Sequence, residues 1–97
     1  MSKFKSLHLV VVDWVDSAAH NGWRDWKEAA ETQDTIQCRS VGFLLSKDKG
    51  RVALAGSITN NDDAGERHSI PKSCVIKMRS IEKFLQEEKE RRPKAKE

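Results

Sequence analysis

The stretch Ile36–Ile58, IQCRSVGFLLSKDKGRVALAGSI, is the feature that most constrains the fold of this chain. It is the longest run of strand-favouring residues, and the polar segment Ser46–Gly50 divides it in two. Gly50 offers the positive φ that tight hairpin turns use. The stretch therefore predicts two antiparallel strands joined by a short turn, against which the rest of the chain packs.

The apolar face of the first of these strands changes parity between Cys38 and Val41. Side chains of a strand alternate with period two, so such a change calls for an extra residue. We predict a β-bulge near Arg39 or Ser40, which would re-aim both side chains. The second strand carries the small residues Ala53 and Ala55 on one face, which predicts a close approach by another element.

The flanking segments supply three further strands and two helices. Leu7–Val15 is apolar at both parities, as expected of a strand that is covered on both faces. Extended segments are predicted at residues 67–70 and 74–81, separated by Pro71. Asp25 is placed to cap a short helix over residues 26–31 or 26–32, attached through Trp26. A helical pattern begins at Glu82 and stops before the final segment.

These elements predict a mainly β (α+β) fold for residues 1–81. The expected architecture is a small, strongly bent five-stranded SH3-like or Sm-like barrel with a short helix between strands one and two. Residues 82–97 are expected to form a charged tail, helical at first and then disordered, with Phe84 and Leu85 as the last apolar anchors. Its segment 87–97 is expected to be solvated rather than used for binding. With 97 residues there is room for one domain.

Composition excludes several functional classes. No stretch approaches the ~20 apolar residues of a membrane span. The net charge of +3 is mild, so a general polyanion binder is not the first expectation. Cys38 and Cys74 lack the paired spacing of a zinc site, and buried thiols are the simplest interpretation. The sequence predicts neither a metal nor a cofactor.

Four motifs carry a family resemblance. They are VDWVDS at residues 12–17, NGW at 21–23, CRSVGFLL at 38–45 and SIPKSCVIKMRSI at 69–81. In this order they resemble a group of small proteins encoded by tailed bacteriophages. The resemblance covers roughly residues 7–81 and implies a phage protein expressed in the host bacterial cytoplasm. It implies no particular activity.

Catalysis is not predicted. A serine nucleophile would need Ser17 to be activated by His20, with an aspartate such as Asp16 to orient the histidine. No oxyanion-forming glycine elbow adjoins Ser17. Asp13 and Asp16 cannot share one face of a regular strand, so paired-carboxylate chemistry is equally poorly supported. We expect a protein that is not an enzyme.

Ligand binding has better support. The indoles of two tryptophans could stack on a base, while three polar or cationic side chains could meet phosphate oxygens. Together with the adjoining loop, the candidate ligand-binding residues are Trp14, Asp16, Ser17, Trp23, Arg39, Ser40 and Lys72. The competing interpretation is that the indoles fill the core and that Arg39 is solvated.

Three functions remain open at this point. The first is a non-catalytic phage accessory protein of the anti-defence type, which sequesters a small anionic nucleotide or another host signal and assembles as a homo-oligomer through strand edges. The second is a nucleic-acid-binding barrel of the Sm or SH3 type, recognised by steep salt dependence. The third is an inhibitor that binds a host protein through a sheet edge or the C-terminal helix.

Overall fold

The computed structural model describes residues 4–17, 23–31 and 35–92. Predictions that concern His20, residue 32 or the segment from residue 93 onwards lie outside these ranges. The described elements are β1 (Leu9–Ser17), α1 (Trp26–Glu31), β2 (Thr35–Lys47), β3 (Arg51–Ile58), β4 (Ala64–Pro71), a 3₁₀ helix (Lys72–Cys74), β5 (Val75–Ser80) and α2 (Ile81–Arg91). The chain is mainly β with two α-helices, as predicted.

The strands form one antiparallel sheet in the order β4-β3-β2-β1-β5. Among the described residues no ladder joins β4 to β5. The sheet is therefore open at both edges, and the predicted closure into a barrel is not confirmed. The described helices include none that is long and apolar enough to cross a membrane.

One face of the sheet, here called the core face, holds the main hydrophobic cluster. Its five buried side chains are Val10, Val12, Val52, Leu54 and Ile70. Half-buried residues packed around them are Trp14, Leu44, Cys74, Val75 and Met78. All five strands contribute, so the sheet must curve around this cluster. The opposite side is called the outer face.

The predicted bulge near Arg39 and Ser40 is wrong. The β1–β2 ladder runs without a break from Leu9 opposite Phe43 to the end of β1. The parity change has a different cause: Val41 lies on the outer face and is 54% exposed, so it is not a core residue. The irregularity in β2 occurs later, between Leu44 and Ser46, in the ladder with β3.

The turn between β2 and β3 is closed by a side chain and not by left-handed glycine. Gly50 does not adopt a positive φ, contrary to the prediction. Asp48 Oδ1 accepts hydrogen bonds from the backbone N–H groups of Gly50 (2.8 Å) and Arg51 (2.9 Å). These two donors hold the pKa of Asp48 below its ordinary value.

Helix α1 begins where the sequence predicts, because Asp25 Oδ2 accepts from the backbone N–H of Lys27 at 3.2 Å. Its predicted attachment through Trp26 is wrong, since Trp26 is largely exposed and the indole of Trp23 is fully exposed. No residue of α1 is buried. Burial of these two indoles therefore does not hold the helix in place.

Candidate functional site

Two of the predicted ligand-binding residues meet on the core face. The indole Nε1 of Trp14 donates a hydrogen bond to Ser40 Oγ at 2.9 Å. The same indole makes an edge-on contact with the ring of His68, with 5.1 Å between ring centroids. The structure thus brings Trp14 and Ser40 together, but with their polar atoms bonded to each other beside the hydrophobic cluster.

Arg39 points to the outer face, because successive side chains of a strand alternate. Its guanidinium binds Asp13 through Nε at 2.6 Å and Nη2 at 3.2 Å. This bidentate pair lowers the pKa of Asp13 and raises that of Arg39. Arg39 and Ser40 therefore face opposite sides of the sheet and cannot hold one small ligand between them.

The other predicted residues lie elsewhere. Asp16 is exposed and stands opposite Ile36 in the β1–β2 ladder, and the backbone of Ser17 pairs with the first residue of β2. Trp23 precedes α1. Lys72 opens the 3₁₀ helix, where its backbone N–H donates to Gly50 O at 2.9 Å. The predicted set does not converge on one site, and a binding role for each residue stays a prediction.

A more favourable site lies along β2, β3 and β4. We call it the β2–β4 groove; it encloses about 650 Å³. Its polar lining is Ser46, Arg51, Glu66, Arg67, His68 and Ser69. Its small lining residues are Ala53, Ala64 and Gly65.

The strand register explains how this groove forms. Ala53 stands between Ser46 on β2 and Ser69 on β4. Two residues before Ala53 on β3, Arg51 pairs with Pro71 of β4. Two residues after Ala53, Ala55 pairs with Arg67 of β4. Long cationic side chains therefore flank a floor of small ones, which leaves room above the sheet. The small-residue face predicted from the sequence is this floor.

The groove is cationic. Arg51 Nη1 donates to Ser69 Oγ at 3.0 Å, and within the described residues neither Arg51 nor Arg67 has a carboxylate within ion-pair distance. Two arginines against one glutamate give the lining a formal charge of +1. Lys72, a predicted site residue, lies at the Arg51 end, because its backbone N–H donates to Gly50 O, but the carboxylate of Asp48 at the same turn offsets its charge.

The backbone at Glu66 is left-handed, with φ of 54°. Such a conformation costs a non-glycine residue roughly 1–2 kcal/mol. Two residues of the neighbouring strand β3 hold the Glu66 side chain in place. Ser57 Oγ donates to Glu66 Oε1 at 2.7 Å, and Gly56 leaves space for the side chain. Backbone strain of this kind concentrates at binding sites, which singles out this part of β4.

Sequence reasoning missed Arg51 and Arg67. A signal existed, because Arg51 shares the parity of the small residues Ala53 and Ala55. Arg67 could not be placed beside them without the β3–β4 register, in which it pairs with Ala55. The missing information was thus the pairing of strands and not the residue types.

The groups in the groove are suited to holding an anion. Guanidinium groups bind phosphate or carboxylate oxygens in pairs, and serine hydroxyls donate to the same acceptors. Comparison of the chain with protein-family models, with curated proteins and with solved structures found no match.

Proposed function

We propose that this protein is a non-catalytic binding protein that holds a small anionic ligand, such as a nucleotide, in the β2–β4 groove. The observation that carries the proposal is the pair Arg51 and Arg67, which flank a small-residue floor and, within the part of the chain that the structure describes, form no ion pair with a carboxylate. Cations left without an acidic partner at a concave surface favour an anion from solution.

The size and shape of the groove support a small ligand. Ligand sites in proteins commonly enclose about 300–1,000 Å³, and the groove lies within that range. The methyl group of Ala53 lets a phosphate approach the sheet closely, while Ser46 and Ser69 stand on either side of it. His68 stands opposite Leu54 and contacts Trp14 on the core face, so the contacts proposed for the ligand come from the two arginines and the two serines and not from these rings.

The biological setting is proposed on the residue resemblance alone. We propose a phage accessory protein that acts in the host bacterial cytoplasm and sequesters a signal of the host's defence system. We further propose that the curved sheet is an SH3-like or Sm-like barrel in its general plan. The strand order and the 3₁₀ helix between β4 and β5 support that plan.

Calorimetry tests the binding proposal. Titration of the protein with a panel of cyclic nucleotides and ADP-ribose is expected to give heat with at least one compound. Removing both guanidinium groups in R51Q/R67Q should weaken that binding at least about tenfold, because charge-assisted hydrogen bonds contribute about 1.5–3 kcal/mol each. The glutamine side chains keep most of the length of arginine, so the fold should persist.

The matched control is K83Q/K89Q, which removes two cations from α2 and none from the groove. It should bind like the original protein. An absence of heat throughout the panel, together with a native mass spectrum showing no retained nucleotide, would overturn the proposal. If R51Q/R67Q and K83Q/K89Q weaken binding equally, the loss is caused by the lower net charge of the protein and not by the groove. That result would also contradict the proposal.

A further inference from the structure

The outer face of β1, β2 and β5 carries a second group of charged residues beneath α2. On the sheet these are Asp13, Arg39, Lys77 and Arg79, and on α2 they are Glu87 and Glu88. We call them the α2 cluster. They line a shallow depression of about 470 Å³, distinct from the β2–β4 groove.

Register places the cations of the α2 cluster around Asp13. Arg39 stands opposite Asp13 on β2, and Lys77 stands opposite it on β5. Arg79 lies one step further along β5 on the same face, and its Nη1 reaches Asp13 Oδ2 at 3.2 Å. One carboxylate therefore lies among three cations, and the sheet alone contributes a charge of three minus one, or +2.

Two carboxylates of helix α2 balance this positive charge of the sheet. Glu87 accepts from Lys77 Nζ at 2.7 Å and from Arg79 Nε at 2.6 Å. Glu88 lies 3.7 Å from Arg39 Nη1 and also binds Arg91. The carboxylates of α2 thus occupy the positions where the oxygens of an external anion would sit.

An aromatic ring completes the contact. The guanidinium carbons of Arg39 and Arg79 each lie 5.0 Å from the centroid of the Phe84 ring. Phe84 therefore packs against two cations, while the side chain of Arg79 is only 8% exposed. This arrangement orders both arginines on the sheet.

The attachment of α2 depends on these polar contacts more than on apolar burial. No residue of α2 is buried, and Leu85 points largely to solvent. Ion pairs at a partly exposed surface contribute little, about 0–1 kcal/mol each, and salt screens them. Such a helix can be displaced by a competing anion.

We propose that the outer face of β1, β2 and β5 is a second anion-binding surface, specific for the phosphate backbone of a nucleic acid, and that α2 covers it. The cations of this surface meet two separate carboxylates of α2, because Glu87 binds Lys77 and Arg79 while Glu88 lies beside Arg39. Replacing both carboxylates takes more than one anionic group, which successive phosphates of a nucleic-acid strand supply. This inference goes beyond the proposed function and does not depend on it.

Fluorescence anisotropy with a labelled single-stranded oligonucleotide of about 20 nucleotides, at about 50 mM salt, tests the inference. The isosteric double variant E87Q/E88Q is expected to bind at least about tenfold more tightly than the original protein, because α2 no longer competes for the cations. Its affinity should also fall more steeply with salt. Circular dichroism would check that the fold is unchanged.

The control E31Q/E82Q makes the same change in net charge outside the α2 cluster and should leave affinity nearly unchanged. Adding R39Q/K77Q to E87Q/E88Q should abolish the gain, whereas adding R51Q/R67Q should preserve it. The inference is overturned if E87Q/E88Q and E31Q/E82Q gain oligonucleotide affinity equally, or if neither gains any. It is also overturned if adding R51Q/R67Q to E87Q/E88Q removes the gain in affinity.

Discussion

Gly42 illustrates how a single residue sets the path of β2. It is buried, and a Cβ built there would lie 2.9 Å from the backbone oxygen of Ala55 and 3.3 Å from Leu54 Cβ. The first of these atoms belongs to the backbone and cannot rotate away. Any side chain at residue 42 must therefore push β2 and β3 apart, next to the irregularity between Leu44 and Ser46.

Substitution G42A is accordingly expected to destabilise the fold by about 1–3 kcal/mol, the usual cost of forcing an atom into a packed interior. Urea unfolding followed by tryptophan fluorescence would measure it. The control is G50A, where the nearest atom to an added Cβ is Asp48 Oδ1 at 3.6 Å and φ is not positive. G50A should change the free energy of unfolding little, and equal losses for the two variants would contradict this account of Gly42.

Residue types predicted the strands and the cap of α1, but not which side chains meet. Asp25 and its helix could be placed because a cap acts within one turn. Arg39 could not, because its partner Asp13 lies 26 residues away in the sequence. Its treatment as a solvated or ligand-binding residue assumed an isolated strand, whereas the neighbouring strand supplies a carboxylate at 2.6 Å.

At the scale of elements, α2 departs most from expectation. Its helical pattern was visible in the sequence, and the structure begins it at Ile81 with Ser80 Oγ accepting from the Lys83 N–H at 3.2 Å. The prediction of a solvated segment is wrong for Glu87 and Glu88, which contact the sheet. The charged residues of α2 do not by themselves show where the helix docks, because the cations that pair with them come from β2 and β5.

The docking of α2 should depend on pH. The hydrogen bond from Arg39 is the main cause that lowers the pKa of Asp13, and that from Lys77 is the main cause for Glu87. A carboxylate whose pKa is lower in the folded state contributes stability that is complete above its unfolded pKa and is lost as pH falls through the folded value. The contacts should thus persist at neutral pH and disappear below about pH 4.

Nuclear magnetic resonance of arginine Nε–H groups can follow this change. The resonances of Arg39 and Arg79 should move together as the pH falls below about 4, and should move similarly when salt is raised to about 1 M. Arg67 is an internal control, since among the described residues no carboxylate lies within ion-pair distance of its side chain. Resonances of Arg39 and Arg79 that stay fixed down to about pH 2 would contradict electrostatic docking.

At the scale of the whole molecule, the two proposed anion-binding surfaces lie towards opposite edges of the sheet. The β2–β4 groove adjoins the β4 edge, while the α2 cluster extends to the β5 edge. The sequence predicted five strands because each has its own pattern, but closure depends on whether β4 and β5 pair, which no local pattern specifies. The structure leaves both edges without a strand partner among the described residues.

Open edges favour assembly, because their backbone groups can pair with another chain. We therefore expect a homo-oligomer, with native mass spectrometry giving a multiple of 11.0 kDa. Ile76 on β5 is 58% exposed and falls at the irregularity in the ladder with β1. A lysine there should repel a neighbouring chain, so I76K should shift the mass towards that of one chain.

Substitution V41K separates an edge effect from a general effect of added charge. Val41 is exposed to a similar degree, at 54%, but lies on β2, whose two neighbours β1 and β3 are already paired with it. A lysine on this inner strand leaves both edges unchanged, so V41K should keep the mass of the original protein. If the original protein has the mass of one chain at micromolar concentration, edge assembly is wrong. If V41K dissociates the oligomer as I76K does, the contact lies on the outer face of the sheet instead, where it would compete with α2 for the same strands.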